Sequence, residues 1–245
     1  MTPIINFAHR GASAVCPENT MAAFRKALEL GATGIETDVQ MTKDGSLVLI
    51  HDETLRRTTN GQGFVKDYTW EEIREFDAGA WFNEDFRGER LPSLEELLLL
   101  TKNHGTVINI ELKNGIIQYP GLEEKVIAMV QSLGMEDRVV LSSFNHYSLV
   151  KCKALAPEIR TGILYMEGLY KAWEYAQTVG ADALHANKYA VLPEWVEEAK
   201  ARGIVYHPFT VNDPQEMKRL ITAKVAGIIT DHPDLLNQLL QTEGA

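Results

Sequence analysis

Short apolar runs alternate along this chain with longer stretches in which apolar residues recur every three or four positions. The short runs have the length and β-branched content of strands, and the longer stretches have the period of amphipathic helices. Nine strands are predicted, near residues 4–8, 34–39, 47–50, 107–112, 139–142, 161–165, 183–185, 205–211 and 227–230. Eight helices are predicted, near residues 20–30, 93–102, 122–133, 147–155, 168–179, 193–201, 214–222 and 233–240. Because the two kinds of element alternate, the pattern favours βα units around a parallel sheet.

Chain length narrows this α/β class to one architecture. The chain has 245 residues, close to the roughly 250 of a typical (β/α)8 TIM barrel. Since such a barrel has eight staves, one of the nine predicted strands lies outside it. The tight turn at residues 42–45, between the second and third strands, leaves no room for a crossover helix, so we suspect one of these two strands. We predict that residues 1–245 form a single domain with a distorted (β/α)8 barrel.

Residues 52–90 interrupt the alternation of strands and helices. This segment has mixed polarity, several glycines and several aromatic residues, among them Phe64, Tyr68, Trp70, Trp81 and Phe82. Long segments of this kind in compact domains usually form functional lids or small subdomains. We therefore predict an insertion at about residues 52–90, after the third strand.

The charge balance limits the partners of the protein. The chain has 24 basic and 34 acidic residues and a net charge of −10, which argues against binding to nucleic acid or anionic membranes and favours a small-molecule substrate. Cys16 and Cys152 are far apart in sequence and predict neither a disulfide framework nor a zinc site. The first residues lack the features of a signal peptide, and no apolar run approaches the ~18 residues of a membrane span. We expect a cytoplasmic protein with no stable membrane insertion.

Polar residues gather where four predicted strands end. The active site of a (β/α)8 barrel lies at the carboxyl ends of its strands, so these residues are the candidates for chemistry. The four groups, in chain order, are His9-Arg10-Gly11, Glu36-Thr37-Asp38, His51-Asp52 and Glu111-Leu112-Lys113.

The acidic members of these groups predict a metal site. Glu36 and Asp38 are two positions apart on one strand, so they point to the same face with Cα atoms about 7 Å apart. If Glu111 converges on them, a divalent cation relieves the repulsion among the three carboxylates. An all-oxygen ligand set favours Ca²⁺ or Mg²⁺ over zinc. The alternative is that the acids form salt bridges with Arg10 and Lys113, but four polar strand ends together favour a site.

His9 and His51 are candidates for acid–base chemistry. Imidazole titrates near neutral pH, so two histidines beside a metal suit the roles of general acid and general base. The sequence leaves open which histidine has which role. His185 and His207 lie on late predicted strands and are weaker candidates to line the pocket.

Many of these residues belong to a longer pattern. It begins with His9-Arg10-Gly11, Pro17-Glu18-Asn19-Thr20, Ile35-Glu36-Thr37-Asp38-Val39, Thr42-Lys43-Asp44-Gly45 and His51-Asp52. It continues with Arg57-Thr58-Thr59, Leu91-Pro92-Ser93-Leu94, Glu111-Leu112-Lys113, Thr210-Val211-Asn212 and Gly227-Ile228-Ile229-Thr230-Asp231. Spaced matches of this extent are far more specific than a lone motif. The chain closely resembles the glycerophosphodiester phosphodiesterase family, within the phosphatidylinositol-phospholipase-C-like phosphodiesterase superfamily.

This resemblance implies a distorted (β/α)8 barrel with a family-specific insertion after the third strand. It implies metal-dependent hydrolysis of glycerophosphodiesters, such as glycerophosphocholine or glycerophosphoethanolamine, to an alcohol and glycerol 3-phosphate. The implied site consists of metal ligands Glu36, Asp38 and Glu111 for one divalent cation, catalytic residues His9 and His51, and phosphate contacts Arg10 and Lys113. Phe209 stands where the family often has Trp, and His232 where Arg is common, so the preferred alcohol stays open.

Several alternatives remain open from the sequence, including the oligomeric state and the choice between Ca²⁺ and Mg²⁺. The nucleophile is either water or the substrate's own 2-hydroxyl. Attack by the hydroxyl would form a cyclic phosphate, and this tethered nucleophile has an effective concentration on the order of 10⁵ M or more. A phospholipase C or lysophospholipase D activity would favour an exposed apolar or basic rim. A non-catalytic sensor would favour loss of a metal ligand or a histidine. The acidic balance and the complete residue set favour the small-molecule hydrolase over both.

Overall fold

The computed structural model describes residues 3–243. The strands in this range are β1 (Ile5–His9), β2 (Gly34–Met41), β3 (Leu47–Leu49), β4 (Val107–Leu112), β5 (Val139–Ser143), β6 (Arg160–Tyr165), β7 (Ala183–Ala186), β8 (Val205–Tyr206) and β9 (Gly227–Thr230). The α-helices are α1 (Met21–Glu29), α2 (Trp70–Ile73), α3 (Leu94–Thr101), α4 (Leu122–Leu133), α5 (His146–Leu155), α6 (Ala172–Val179), α7 (Pro193–Lys200), α8 (Pro214–Thr222) and α9 (Pro233–Glu243). None of these described helices is long and apolar enough to cross a membrane.

Every predicted strand and helix is confirmed, but two differ clearly in extent. The pattern predicts the eighth strand over residues 205–211, whereas β8 covers only Val205–Tyr206, because Pro208 has no N–H with which to continue a ladder. The sixth helix is predicted from residue 168, but α6 begins at Ala172, after Lys171 adopts a left-handed backbone with φ of 51°. The short helix α2 was not predicted from the sequence.

The parallel strands curl into a nearly closed ring. Within residues 3–243 they follow the order β8-β7-β6-β5-β4-β2-β1-β9. The remaining seam, between β8 and β9, is bridged by backbone hydrogen bonds from Ile229 N to Pro208 O at 3.0 Å and from Val211 N to Ile229 O at 2.9 Å. Helices on the outside connect successive staves. The predicted distorted (β/α)8 barrel is therefore confirmed.

The strand outside the barrel is β3, one of the two strands that flank the tight turn at residues 42–45. It pairs with β2 in antiparallel orientation, with Val39 opposite Leu49. Gly45 occupies the turn with φ of +82°, a conformation that glycine adopts without strain. The hairpin rises from the carboxyl end of β2 and returns to it, because Ile50 N–H donates to Asp38 O at 3.0 Å.

The core lies between the barrel and its helices. Outward-facing strand residues such as Ile35 and Val39 pack against Phe24 of α1 and Leu97 of α3. A second cluster covers the other half of the barrel, where Leu220 of α8 belongs to the packed set. Each fully buried side chain of this size contributes roughly 1.5–3 kcal/mol of hydrophobic stabilisation. The barrel is therefore a rigid base for residues at its rim.

The barrel interior below the rim is partly polar. His207 Nδ1 lies 3.1 Å from His185 Nε2, and the His207 ring lies 5.2 Å from that of Phe7. Gly162 and Gly227 leave the space for these imidazoles, because a Cβ atom on Gly162 would lie 2.4 Å from His185 Nε2. Both histidines are buried.

Residues 52–90 have a small core of their own, packed on the β3 hairpin. Leu55, Val65 and Ile73 contact Val48 and Ile50. The short helix α2 is stabilised by a capping box, in which the Thr69 hydroxyl accepts the N–H of Glu72 and the Glu72 carboxylate accepts the N–H of Thr69. These interactions fix the segment beside the carboxyl end of the barrel.

The buried histidines predict a loss of stability in acid. Burial, with a smaller contribution from Arg160, lowers the pKa of His207 from 6.5 to about 3. Below about pH 6.5 this residue binds more protons in the unfolded chain than in the folded chain, so its contribution to the free energy of unfolding falls as the pH drops towards 3. We expect His207→Gln to remove about 2 kcal/mol of the loss in unfolding free energy between about pH 7 and about pH 5. Denaturant titrations at both pH values measure this difference.

The matched control is His104→Gln, because His104 is exposed in a loop. This variant should keep the pH dependence of the parent protein. If His207→Gln also kept the parent's pH dependence, His207 would not be a neutral buried group.

Candidate active site

The strand register brings the predicted site residues together at the carboxyl end of the barrel. His9 on β1 is paired with Glu36 on β2, and Asp38 on β2 is paired with Glu111 on β4. Side chains alternate along a strand, so these four residues point into the barrel while neighbours such as Val39 pack outwards against helices. Three adjacent staves thus present acidic and imidazole groups to one mouth.

Glu36, Asp38 and Glu111 form a compact acidic cluster. One carboxylate oxygen of each residue lies within 4.8 Å of those of the other two, and all three side chains are buried. Burial and the neighbouring charge of Asp38 raise the pKa of Glu36 well above its usual range. The same two causes raise the pKa of Glu111 to about 7. Ionising all three acids together is therefore unfavourable without additional positive charge.

Arg10 and Lys113 supply part of this positive charge. Arg10 Nε lies 3.2 Å from Asp38 Oδ2, and Lys113 Nζ lies 2.9 Å from Glu111 Oε1 and 3.9 Å from Asp38 Oδ1. Burial opposes the ionisation of Asp38, but the charges of Arg10 and Lys113 outweigh it and lower the pKa of Asp38. The salt bridges considered as an alternative to a metal site are thus present, yet they leave Glu36 and Glu111 with raised pKa values.

A divalent cation fits this cluster. Asp38 Oδ1 is buried, and no donor within residues 3–243 makes a hydrogen bond to it. A cation in contact with all three residues would offset the repulsion that raises the pKa values of Glu36 and Glu111. Carboxylate oxygens are the ligands that Ca²⁺ and Mg²⁺ prefer in proteins. Glu36, Asp38 and Glu111 are therefore the residues able to hold a metal ion.

The loop between β1 and α1 holds the acidic cluster in place at the expense of backbone strain. Arg10 and Asn19 both have φ of 54°, in the left-handed region that costs a non-glycine residue about 1–3 kcal/mol. Arg10 N–H donates to Glu36 Oε2 at 3.0 Å, and Asn19 Nδ2 donates to Asp38 Oδ2 at 2.9 Å. Both strained residues thus contact the cluster directly, as is common at functional sites.

His9 is oriented by a carboxylate from the end of β9. Its Nδ1 is 2.6 Å from Asp231 Oδ1, while its Nε2 faces Glu36 at 4.0 Å. Asp231 also accepts hydrogen bonds from Ser13 Oγ and Asn212 Nδ2. Burial opposes its ionisation, but these donors and His9 lower the pKa of Asp231. An ionised Asp231 keeps the proton of His9 on Nδ1 and leaves Nε2 free for proton transfer.

His51 has an equivalent carboxylate partner on the other side of the mouth. His51 Nδ1 lies 2.7 Å from Asp52 Oδ1. Burial, followed by the charges of Arg10 and Lys113, lowers the pKa of His51 despite the opposing charge of Asp38. The backbone here is also fixed, because the buried Gln40 amide donates to His51 O at 3.0 Å.

An aromatic pair lines the opposite side of the mouth. The rings of Phe144, after β5, and Phe209, after β8, are 6.2 Å apart and nearly perpendicular. Because β6 and β7 separate these strands in the ring, the contact spans part of the barrel end. The mouth therefore has a charged side at β1, β2 and β4 and an aromatic side beyond it.

The seven residues predicted from sequence surround one mouth. His9, Arg10, Glu36, Asp38, Glu111 and Lys113 are linked by direct contacts, and the charge of Asp38 also acts on His51. His185 and His207 do not line it, because they are buried in the barrel interior. Sequence reasoning gave no role to four residues that contact the reacting groups or their partners, although all lie within the quoted motifs: Asn19, Asp52, Asn212 and Asp231.

A family model and a similar protein of known name both place the chain in one family. Residues 9–235 match the model of the glycerophosphoryl diester phosphodiesterase family. The chain is 51% identical over 237 residues to a glycerophosphodiester phosphodiesterase of Caldanaerobacter subterraneus subsp. tengcongensis, which covers 97% of this chain and 98% of that protein.

Solved structures with the same architecture agree with this family. Glycerophosphodiester phosphodiesterase from Agrobacterium tumefaciens has a TM-score of 0.84 at 33% identity, over 96% of this chain and 99% of that one. A phosphodiesterase from Oleispira antarctica has a TM-score of 0.87 at 30% identity, over 98% of this chain and 97% of that one. The Oleispira structure is a complex with the product sn-glycerol-3-phosphate.

The acidic cluster predicts stabilisation by divalent cations. We expect Ca²⁺ or Mg²⁺ at about a hundred times its dissociation constant to raise the melting temperature by about 5 °C or more, because the cation binds the folded state alone. Glu36→Gln, Asp38→Asn and Glu111→Gln should each remove most of this increase. Thermal denaturation with and without cation measures it.

Glu95→Gln is the control, because it makes the same chemical change at an exposed position on α3. It should retain the full cation-dependent increase. Equal increases in Glu95→Gln and in all three cluster variants would exclude a metal site at the cluster.

Proposed function

Because the chain belongs to the glycerophosphoryl diester phosphodiesterase family, and so is a phosphodiesterase, we propose that it cleaves glycerophosphodiesters to an alcohol and glycerol 3-phosphate with the help of a divalent cation. The observation that supports this most directly is the arrangement of the mouth, where two histidines, each paired with a carboxylate, flank three clustered acids. The glycerol 3-phosphate complex of the Oleispira phosphodiesterase supports the same product here.

Charge around the phosphate is the first contribution to catalysis. Glu36, Asp38 and Glu111 would hold the cation, which when bound polarises a phosphoryl oxygen as a Lewis acid. Arg10 and Lys113 lie beside the cluster and contribute two further positive charges to the phosphate. Both side chains are largely buried, so their charges are less screened than those of surface groups. This arrangement favours the negative charge on the phosphoryl oxygens in the transition state.

Proton transfer is the second contribution. His9 and His51 each donate Nδ1–H to an aspartate and leave Nε2 free, which is the arrangement that a general acid or base needs. One imidazole removes the proton of the attacking oxygen, and the other donates a proton to the leaving alcohol. The complete set of groups disfavours the alternative of a non-catalytic sensor.

Lipid substrates are a second candidate. Exposed apolar side chains follow successive strands on the catalytic face, and an exposed apolar rim is what a phospholipase C or lysophospholipase D would favour. Their exposed fractions are 78% for Ile116, 90% for Tyr147, 90% for Tyr170 and 78% for Tyr189. Vesicle sedimentation and hydrolysis of lysophosphatidylcholine test this candidate, whereas activity limited to water-soluble diesters would exclude it.

The catalytic roles predict large losses on substitution of either histidine. We expect His9→Gln and His51→Gln each to lower kcat by about 10² to 10⁴, because each removes one proton-transfer group. Release of glycerol 3-phosphate from glycerophosphocholine and glycerophosphoethanolamine measures the rate. Chelator should abolish the activity of the parent protein.

The control is His104→Gln, which should retain the parent rate because His104 lies in an exposed loop. Full activity of both His9→Gln and His51→Gln would overturn two-histidine catalysis. Full activity in chelator would overturn the role of the metal.

The nucleophile can be assigned with a modified substrate. We propose that the substrate's 2-hydroxyl attacks phosphorus and expels the alcohol, and that water then opens the resulting cyclic 1,2-phosphate to glycerol 3-phosphate. A tethered nucleophile favours this route because its effective concentration is on the order of 10⁵ M or more. A glycerophosphocholine analogue with hydrogen in place of this hydroxyl should bind but release choline at less than about a hundredth of the normal rate. Binding is measured separately from turnover. Turnover of the bound analogue at a rate near normal would instead establish water as the nucleophile.

A further inference from the structure

Arg57 connects two loops of the site through two edges of its guanidinium group. Its Nε and Nη2 donate to the two oxygens of Asp52 at 2.8 and 2.9 Å. Its Nη1 and Nη2 donate to the two oxygens of Glu18 at 2.7 and 2.8 Å. Two-pronged pairs of this kind fix the plane of each carboxylate as well as its distance.

Each of the two acids also contacts a group of the proposed machinery. Asp52 Oδ1 accepts a hydrogen bond from His51 Nδ1 at 2.7 Å. Glu18 Oε1 accepts a hydrogen bond from Arg10 Nη1 at 2.8 Å. Since Arg57 is bonded to both acids, one unbroken series of contacts joins a proton-transfer group to a phosphate-binding group.

We infer that Arg57 is a positioning residue, which holds His51 through Asp52 and Arg10 through Glu18 in one fixed arrangement. This inference rests on the proposed function, in which His51 transfers a proton and Arg10 binds phosphate. Arg57 itself need not touch the substrate. It acts by fixing the two carboxylates that orient the reacting groups.

Removal of Arg57 leaves Glu18 and Asp52 close to each other without the positively charged guanidinium group that lies between them. Both carboxylates lie within hydrogen-bonding distance of the same Nη2 atom, so their charges then repel. Asp52 becomes free to turn away from His51, and Glu18 becomes free to move together with Arg10. The geometry of both groups should therefore loosen together.

The fold should depend on Arg57 much less than catalysis does. Its side chain is 42% exposed, and ion pairs of exposed groups add little to the free energy of unfolding. A purely structural role for Arg57 would lower stability and activity together. A role in positioning should lower kcat in a protein that still melts near the parent temperature.

The test compares Arg57→Gln and Arg57→Lys with Arg56→Gln, an adjacent and exposed arginine that makes the same charge change. We expect Arg57→Gln to lower kcat by about 10- to 100-fold, with KM changed less than about threefold and melting temperature within about 2 °C. Arg57→Lys should recover only part of kcat, because one ammonium group cannot make two two-pronged pairs. Arg56→Gln should match the parent.

Double substitutions test whether Arg57 acts through the two acids. Glu18→Gln and Asp52→Asn should each lower kcat by a smaller factor in Arg57→Gln than in the parent, because the orientation they support is already lost. Equal factors in both backgrounds would overturn the inference. A rise in KM with unchanged kcat would also overturn it, because that result indicates direct substrate binding.

The inference and the proposed function can fail separately. If His51→Gln abolishes turnover while Arg57→Gln has the kinetics of the parent, the positioning role is wrong and the proposed function stands. If His51→Gln retains full turnover, the proposed function is wrong in its use of this histidine.

Discussion

The structure depends on an electrostatic constraint, namely the burial of three carboxylates at the end of one barrel. Desolvation and repulsion among the acids raise the pKa of Glu36 well above its usual range and that of Glu111 to about 7. Arg10 and Lys113 compensate for only part of this negative charge. The remaining imbalance is what makes the site suited to a divalent cation and a phosphate, since each brings charge that the protein alone cannot balance.

The loops around the mouth are arranged to maintain this unfavourable cluster. Left-handed backbone at Arg10 and Asn19 aims donors at two of the carboxylates. Asp231 and Asp52 orient the imidazoles from opposite sides. Such strain persists only where surrounding packing is strong enough to impose it, and here the closed ring of strands and its two apolar clusters provide that packing.

The sequence predicted the barrel and the reacting groups because both leave local patterns. Apolar periodicity gave the elements, and alternation on β2 placed Glu36 and Asp38 on one face. Asp231 was missed because it reaches His9 across 222 positions and no local pattern encodes that contact. Asp52 is adjacent to His51 in sequence, but the sequence does not show that their side chains meet. The excessive length predicted for the eighth strand has a different origin, because apolar residues continue past Pro208 after the ladder ends. His185 and His207 are candidate pocket residues from sequence, but in the structure they are buried in the barrel interior. Gly162 and Gly227 leave the space that their imidazoles fill.

The β2–β3 hairpin has a consequence for how the protein tolerates changes in length. Because the Ile50 N–H donates to Asp38 O, the pairing within the hairpin fixes the position of the next residue, His51, relative to the end of β2. Extra residues at its tip would disturb the contacts of Lys43 with Tyr68 and of Gly45 with Lys125, but would leave the pairing that places the imidazole unchanged. A slip of one residue along β3 would instead turn that side chain to the other face. The position of His51 therefore depends on the pairing of a three-residue strand more than on the length of the turn.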